Sequence, residues 1–162
     1  MPEGSLKESA RKVQTALQAV GYAFEVREFP ASTRSAEDAA AAIGCSVAQI
    51  VKSLIFRAAG SGAPVLVLAS GANRVDEAAV GSLLGEPIER ARADFVREAT
   101  GFAIGGVPPV AHRVKPHAFI DRDLMDLPEL WAAAGTPNAV FSLQPDQLRS
   151  LTDGVVADIK QR

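Results

Sequence analysis

The sequence predicts an α/β (α+β) domain in which helices flank a mixed, largely antiparallel sheet. A chain of 162 residues with 48% hydrophobic and 22% charged residues is long enough to bury one core. Strand-like and helix-like segments are interspersed, yet an apparent hairpin around 135–138 and short connections do not fit a regular βαβ alternation. Since no repeat, low-complexity tract or linker divides the chain, residues 1–162 are expected to form a single domain.

The N-terminal half is expected to start with a helix, because Val13 and Leu17 recur at helical spacing and Gly21 supplies a stop signal. A second, alanine-rich helix is predicted from Ser35 and Asp38, which approximate a capping box. The strands are inferred from alternating apolar residues or short apolar runs. In chain order, the expected elements are helix 11–20, strand 22–26, helix 35–43, a short helix from residue 46, strand 50–56 and strand 65–68.

The C-terminal half is expected to start with a helix capped by Asp76 and to contain a tight, polar hairpin loop at 135–138. Asp121, Arg122 and Asp123 directly follow an apolar segment, and their charges are interpreted as a solvated turn. In chain order, the expected elements are helix 77–84, an extended piece at 86–88, helix 94–101, strands 119–120, 130–134 and 139–143, helix 145–151 and a last strand at 155–159.

Composition and charge exclude several classes of function. A formal net charge of −2 removes the broad basic surface that long nucleic-acid contacts require, although a local basic pocket could still bind a few phosphates. The chain has no run of about 18 apolar residues and no signal peptide, so we expect a soluble, cytoplasmic protein without membrane contact. Cys45 is the one cysteine, and the two histidines, His112 and His117, do not form a zinc cluster. We therefore expect no metal.

A glycine- and proline-rich stretch at 100–110 carries the strongest local signal. Gly105 and Gly106 allow backbone N–H groups to approach a ligand without an intervening Cβ, and Pro108 and Pro109 then fix φ and stiffen the turn. Such a stretch can form a rigid wall of backbone donors. It can equally be a tight turn between two strands, since glycine and proline mark loops in general.

Lys52 is a charged residue inside an apolar segment, with Ile50 and Val51 before it and Leu54 to Phe56 just after. One interpretation places it at the margin of the sheet, with its stem on apolar surface and its ammonium in water. The other interpretation places the amine in a cleft, where it offers a fixed positive charge to a phosphate or a developing oxyanion. The residues alone leave both interpretations open.

Three motifs occur in order along the chain, while the usual dinucleotide and phosphate-loop motifs are absent. They are Gln-Ile-Val-Lys-Ser-Leu at 49–54, Thr-Gly-Phe followed by Gly-Gly-Val-Pro-Pro at 100–109, and Gly-Thr-Pro-Asn at 135–138. Together they resemble the YbaK family, which comprises free-standing relatives of the editing insertion domain of bacterial prolyl-tRNA synthetase. The similarity extends from about residue 31 to residue 159.

This resemblance implies a mixed-sheet fold and the hydrolysis of the ester in a wrongly charged tRNA, usually tRNA(Pro). It also implies that neither a metal nor a diffusible cofactor takes part. The implied partner is the aminoacylated 3′ end of tRNA, with prolyl-tRNA synthetase as a second candidate. The oligomeric state does not follow from the resemblance.

The resemblance also implies which residues form the site. Lys52 corresponds to the family's essential lysine, and residues 105–109 correspond to its glycine-proline loop beside the scissile ester. The expected catalytic residues are Lys52, Gly105 and Gly106, and the expected substrate-binding residues are Ser32, Thr33, Val107, Pro108, Pro109, Gly135, Thr136 and Asn138. Family members that clear cysteine tend to have polar side chains near the last glycine, whereas this chain has Ala133, Ala134 and Val140. This departure favours alanine as the amino acid removed, with serine and 2-aminobutyrate left open.

The chemistry of such a reaction needs few catalytic groups. An aminoacyl ester is activated, so water needs mainly orientation and a stabilised oxyanion, for which one donor is typically worth about 2.7–4 kcal/mol. No protein general base is evident, because Cys45 and Ser53 lack an identifiable histidine partner and His112 and His117 are expected at the surface. The ribose hydroxyl of the terminal adenosine could position the water. Two other classes remain open: a binding module without turnover, and a hydrolase of another small ester or nucleotide.

Overall fold

The computed structural model describes residues 8–21, 24–29 and 35–162. In chain order the regular elements are α1 Glu8–Ala19, β1 Arg27–Glu28, α2 Ala36–Ile43, β2 Ile50–Ala58, β3 Pro64–Ser70, α3 Glu77–Leu84, β4 Ile88–Arg90, α4 Ala93–Thr100, β5 His117–Asp121, β6 Leu130–Ala133, β7 Ala139–Leu143, α5 Pro145–Thr152 and β8 Val155–Ala157. Two short 3-10 helices, Val47–Gln49 and Arg122–Asp126, precede β2 and follow β5. Among the described residues, no helix combines the length and apolar composition that crossing a bilayer requires.

The described strands form one mixed sheet with the order β1-β7-β6-β2-β3-β5-β8, and β4 pairs with part of β2. The pairs β1/β7, β2/β3, β2/β4 and β6/β7 are antiparallel, whereas β2/β6, β3/β5 and β5/β8 are parallel. The predicted mixed sheet flanked by helices is therefore confirmed. The parallel pairs bring the carboxyl ends of β3 and β5 to the same edge of the sheet.

Apolar layers cover both faces of the sheet. Side chains alternate along β2, so Val51 and Ile55 face one layer while Leu54 and Phe56 face the other. The first layer receives Val13 and Leu17 of α1, Val96 of α4 and Leu148 of α5, and the second receives Val80 of α3. Burying such a side chain contributes about 1.5–3 kcal/mol relative to leaving it exposed. The two layers therefore hold β2 as a fixed central strand.

Most of the predicted helix signals act as expected. The Ser35 side chain accepts a hydrogen bond from the Asp38 N–H at 3.0 Å, and α2 ends at Gly44. Asp76 likewise caps α3 through the Ala79 N–H at 3.1 Å. The strand expected at 22–26 is wrong in its described part, because strand pairing begins only at Arg27, opposite Val140. Residues 22 and 23 of that segment lie outside the described residues.

The interpretation of 121–123 as a solvated turn is also wrong. Asp121 is the last residue of β5 and is 2% exposed, and a 3-10 helix follows it directly. Its carboxylate accepts hydrogen bonds from backbone N–H groups of Ser70 and Asp123. The charge is buried because the parallel pairing of β3 with β5 encloses it at the sheet edge.

Candidate functional site

A cavity of about 680 Å³ opens where the sheet is interrupted along one edge of β2. On this edge β6 pairs only with Ile50 and Val51, and β4 pairs only from Phe56 onward. Residues 52–55 therefore have no strand partner on this side among the described strands, although β3 pairs with them on the other. Both faces of this part of β2 reach the cavity, whose size is typical of small-molecule sites.

The main chain of Ser53 faces this open edge. Backbone groups alternate between the two edges of a strand, and Ile50 C=O bonds Gly71 N–H on the β3 side at 2.7 Å. By this alternation the N–H and C=O of Ser53 point away from β3, into the interruption. The Ser53 Oγ is also buried without a hydrogen-bond partner among the described residues. Ser53 therefore brings unused hydrogen-bonding groups to the cavity that it lines.

Lys52 lines the same cavity from the opposite face of β2. Its ammonium donates a hydrogen bond to the backbone carbonyl of Asn73. Burial is the largest influence on the pKa of Lys52 and lowers it; the nearby Arg74 lowers it as well, whereas Glu37 and Asp121 raise it. Lys52 is therefore a half-buried residue on the cavity wall, with its ammonium held by a backbone carbonyl.

A polar network lies behind Lys52. The Asn73 side-chain amide donates to Asp121 Oδ2 at 2.8 Å and to Asp123 Oδ2 at 2.9 Å. Lys160 forms an ion pair with Asp123 at 2.8 Å. From the sequence, Asn73 is expected only to form part of a turn after β3. The structure makes it the residue that joins Lys52 to two carboxylates.

Three charged side chains on the cavity wall are not predicted as site residues by the sequence. Arg74 follows Asn73 directly, Glu77 belongs to the first turn of α3, and Arg90 is the last residue of β4. The backbone of Arg74 is fixed because its carbonyl accepts the Gln161 N–H at 2.8 Å. Lys52, Arg74 and Arg90 together provide three positive charges against the single negative charge of Glu77. This part of the cavity can therefore attract an anionic group.

The glycine-proline loop forms another wall, and each of its two glycines is required for a different structural reason. Gly105 has a φ of 95°, a conformation that L side chains rarely adopt. Gly106 is buried, and a Cβ there would lie 2.8 Å from the Thr136 Cα. Its N–H donates to Ala103 C=O at 3.1 Å and its C=O accepts the Gly135 N–H at 2.9 Å. Gly106 thus locks the loop onto the 135–138 turn.

Two backbone donors of this loop remain unused. The N–H groups of Gly105 and Val107 have no hydrogen-bond partner among the described residues, and both residues line the cavity. Val107 is buried, whereas Gly105 is exposed at the cavity mouth. An unpaired N–H at a buried site is costly, so native proteins usually satisfy it. These two donors can therefore bind an oxygen of a ligand.

His112 supports the loop from behind, although the sequence predicts a surface residue here. Its Nε2 lies 2.6 Å from the Pro108 carbonyl oxygen and donates to it, while Nδ1 is buried without a partner among the described residues. Burial lowers the pKa of His112, and the hydrogen bond to Pro108 opposes that shift. The ring is therefore a neutral structural support, whereas His117 is exposed.

The structure brings some of the expected site residues together and separates others. Lys52, Gly105 and Val107 share the cavity. Gly106, Gly135 and Thr136 form the packing contact behind it, and Pro108 and Pro109 are buried and do not line it. The Asn138 C=O accepts the Phe29 N–H at 2.8 Å, and the Asn138 side chain donates to Phe29 C=O at 3.1 Å. Ser32 and Thr33 lie outside the described residues.

The remaining cavity wall is apolar and partly made of small residues. Ala132, Ala133 and Val140 line it, whereas Ala134 is buried in the core. Ile104 lies at the rim and is 59% exposed. Small side chains on one wall leave room for a compact apolar group next to the charged wall.

Neither metal-ligating nor thiol chemistry is built into the described residues. No group of three or more His, Cys, Asp and Glu side chains there could hold a metal ion. Cys45 is partly buried, and burial together with Glu129 raises the pKa of its thiol. A raised thiol pKa disfavours the reactive thiolate.

Comparison with known proteins shows relatives across most of the chain. Residues 30–151 match the aminoacyl-tRNA editing domain family. The uncharacterized protein YwhH of Bacillus subtilis (strain 168) is 32% identical over 124 residues, which cover 76% of this chain and 78% of YwhH.

Solved structures agree with this family match. A protein provisionally described as a trans-editing enzyme for prolyl tRNA synthetase is 50% identical, covers 98% of this chain and 100% of its own, and has a TM-score of 0.93. Hypothetical protein APE2540 is 33% identical, covers 93% of this chain and 99% of its own, and has a TM-score of 0.85.

Proposed function

Because this chain belongs to the aminoacyl-tRNA editing domain family, we propose that it is a trans-editing hydrolase that deacylates mischarged tRNA. We further propose tRNA(Pro) carrying a small non-cognate amino acid, with alanine preferred, as the substrate. The observation that carries the proposal is the convergence of Lys52, Arg74 and the unpaired N–H groups of Gly105 and Val107 on one cavity. An aminoacylated nucleotide presents the phosphates and the ester carbonyl that such groups bind.

The proposed reaction adds water to the ester carbonyl carbon. The new bond joins the water oxygen to that carbon, and the bond to the ribose oxygen breaks. The proton lost by water goes to the ribose oxygen, so the products are free tRNA and the amino acid. The adjacent ribose hydroxyl of the terminal adenosine would orient the water.

Backbone N–H groups of the glycine-proline loop would stabilise the oxyanion. Gly105 and Val107 are the candidates, because the Gly106 N–H is already bonded to Ala103 C=O. One such donor is typically worth about 2.7–4 kcal/mol of barrier. Lys52 and Arg74 would hold the terminal phosphate or the developing charge. Gly106 would act by positioning its neighbours.

The choice of a small amino acid rests on the apolar wall. Ala133 and Val140 line the cavity and offer no side-chain hydrogen bond to a hydroxyl or thiol. A wall without a polar partner gives little preference for a polar side chain over an apolar one of equal size. Alanine is therefore expected to be removed fastest, with serine and 2-aminobutyrate as slower substrates.

The proposed partner is the 3′ end of tRNA in the cytoplasm. The protein is expected to contact only a few of its phosphates. Three cations on the cavity wall and a formal net charge of −2 predict only a modest dependence of binding on salt. Docking on prolyl-tRNA synthetase is a second proposal. It rests on what a solved relative is provisionally described as doing.

A deacylation panel tests this function directly. Purified tRNA(Pro) would be charged in turn with alanine, serine, cysteine, 2-aminobutyrate and proline, and ester loss would be followed with and without a chelator. We expect rapid loss of alanine, retention of proline and no effect of the chelator. Saturable binding without turnover would indicate a binding module. Equal cleavage of free aminoacyl esters would indicate a general ester hydrolase.

A further inference from the structure

The ammonium of Lys52 is held by a carbonyl oxygen and not by a carboxylate. Its acceptor is the backbone of Asn73, and no ion pair involves Lys52 among the described residues. A directly paired carboxylate would cancel most of the positive charge. A carbonyl orients the ammonium and leaves its charge and two further N–H donors for a ligand.

The position of that carbonyl depends on the Asn73 side chain. Its amide nitrogen donates to both Asp121 and Asp123, at 2.8 Å and 2.9 Å. Asp121 is itself fixed by the Ser70 N–H at 3.1 Å and by the Asp123 N–H at 3.0 Å. Among the described residues, the three groups that contact the Asp121 carboxylate are all hydrogen-bond donors. Both carboxylate oxygens must therefore act as acceptors.

Residues after β8 hold the turn at residues 73–75 from its other side. Lys160 bonds Asp123 at 2.8 Å, and Val75 and Lys160 form an antiparallel bridge. The Gln161 side chain also donates to the Val75 carbonyl at 3.1 Å. The segment that presents the Asn73 carbonyl is therefore fixed at both its ends.

We propose that Asp121 is a positioning residue for Lys52 and acts through Asn73. Asp121 fixes the Asn73 side chain, the Asn73 carbonyl fixes the ammonium, and the buried carboxylate adds a negative potential without pairing with the amine. The consequence for turnover rests on the proposed function, whereas the consequence for the lysine itself does not.

Asp121→Asn is the sharpest test, because it keeps the shape and removes the charge. In one orientation its amide NH₂ replaces the oxygen that accepts from Asn73 and Ser70, and in the other it faces the Asp123 N–H, so either orientation removes at least one hydrogen bond that holds this network. Asp76→Asn is the matched control: the same substitution close to the same turn, in a residue that caps α3 and does not contact Asn73 through its side chain. Asparagine is as good an N-cap as aspartate, so this control should retain the wild-type fold and rate.

The first readout is the pKa of Lys52, followed by NMR of the labelled lysine ammonium. Nearby positive charge from Arg74 and negative charge from Glu37 and Asp121 act on this amine, and Glu77 and Arg90 line the same cavity. Loss of the Asp121 charge should lower the pKa of Lys52, with Asp76→Asn unchanged. A merely structural role would instead loosen the turn and expose the amine, which would raise its pKa because burial is what depresses it most. A rise, or no change, would overturn the proposal.

The second readout is a double-mutant cycle on single-turnover deacylation. Asp121→Asn should slow wild type by about tenfold and have almost no effect in a Lys52→Ala background. Equal effects in both backgrounds would show that Asp121 acts without Lys52. If wild type deacylates no tRNA, the proposed function fails while the pKa readout still decides the positioning role.

Asn73→Ala provides a second variant in case Asp121→Asn does not fold. It keeps the carbonyl that Lys52 contacts and removes only the side chain that Asp121 and Asp123 hold. A similar loss of rate, again absent in the Lys52→Ala background, supports the proposal. An unchanged rate in folded Asn73→Ala would overturn it.

Discussion

The two walls of the cavity are built in different ways. The Lys52 wall consists of charges and side-chain hydrogen bonds at the carboxyl ends of β3 and β5. The glycine-proline wall consists of close backbone contact between Gly106 and Thr136, fixed by main-chain hydrogen bonds. In the first wall, the charged side chain of Lys52 can be shortened without creating a steric clash. The second has no space at Gly106 for even one added methyl group.

Because of this difference, substitutions in the two walls should affect different quantities, the rate of deacylation in one case and the stability of the fold in the other. Burial of the Lys52 amine disfavours its charged form, so this residue costs stability in exchange for a charge in the cavity. The loop, by contrast, contributes both packing and the N–H groups of its neighbours. Changes on the first wall should alter rate with little effect on folding. Substitutions in the glycine-proline wall should mainly lower the stability of the fold.

The largest expected effect is on the packed wall. Gly106→Val would place a side chain against the Thr136 backbone, because a Cβ at Gly106 would lie 2.8–2.9 Å from three of its backbone atoms. Overpacking of this kind typically costs about 1–3 kcal/mol, and valine should reach the upper end. Thermal unfolding followed by circular dichroism measures it. Gly106→Ala is the milder partner, and a wild-type melting temperature with a slow rate would show that the loop glycine acts on the ligand instead.

Lys52→Ala should give the largest effect on rate. We expect deacylation to fall at least about tenfold, equivalent to roughly 1.4 kcal/mol of barrier, while the fold stays intact. Single-turnover rates on mischarged tRNA, with circular dichroism at the same temperature, measure both quantities. Full activity in the folded variant would make Lys52 an ordinary surface lysine and remove the contrast between the walls.

A smaller effect concerns the support beneath the loop. Burial lowers the pKa of His112 in the folded state, so the unfolded chain binds a proton first as pH falls. The stability contributed by the neutral ring is complete above the ordinary histidine pKa of 6.5 and is lost as pH falls below it. Urea unfolding across this range should show the loss in wild type and a flatter profile in His112→Gln. The exposed His117→Gln is the control, and equal profiles for all three would contradict the prediction.

The smallest effect is expected at Pro109. This residue is buried outside the cavity, so Pro109→Ala should mainly increase the freedom of the unfolded chain. Such a change typically costs about 0.4–1 kcal/mol. The rate per folded molecule should stay at the wild-type value. A slow rate in fully folded Pro109→Ala would mean that the turn transmits strain to Gly105 or Val107.

Local signals in the sequence predicted much of this structure. Ser35, Asp76 and Gly44 act at helix ends as their residue types indicate, and the 135–138 turn does join two antiparallel strands. The glycine-proline motif and Lys52 were also expected to form one site, and both reach the same cavity. The helix ends and the turn depend on short-range spacing, which a single sequence displays, whereas the shared site of Lys52 and the loop was implied by the family resemblance.

The site features that the sequence does not display depend on strand pairing between distant segments. Arg74 reaches Lys52 only because β2 and β3 form an antiparallel pair in which Lys52 lies opposite Ala69. Asp121 reaches Asn73 only because β5 lies parallel to β3. The three charged residues at 121–123 follow an apolar segment, but they do not show whether that segment is a central strand or an edge strand of the sheet. Register and neighbour order arise from packing of the whole sheet.

The interruption beside β2 has a consequence for association between molecules. An unpaired strand edge usually offers a template on which another chain can add a strand, which leads to aggregation. Here the unpaired part spans residues 52–55 and has β6 at one end and β4 at the other. Four residues extend only about 13 Å, too short for a typical strand of another protein to insert. The molecule can therefore leave this backbone edge unpaired at its centre without offering another chain a template there, provided that β4 stays in place.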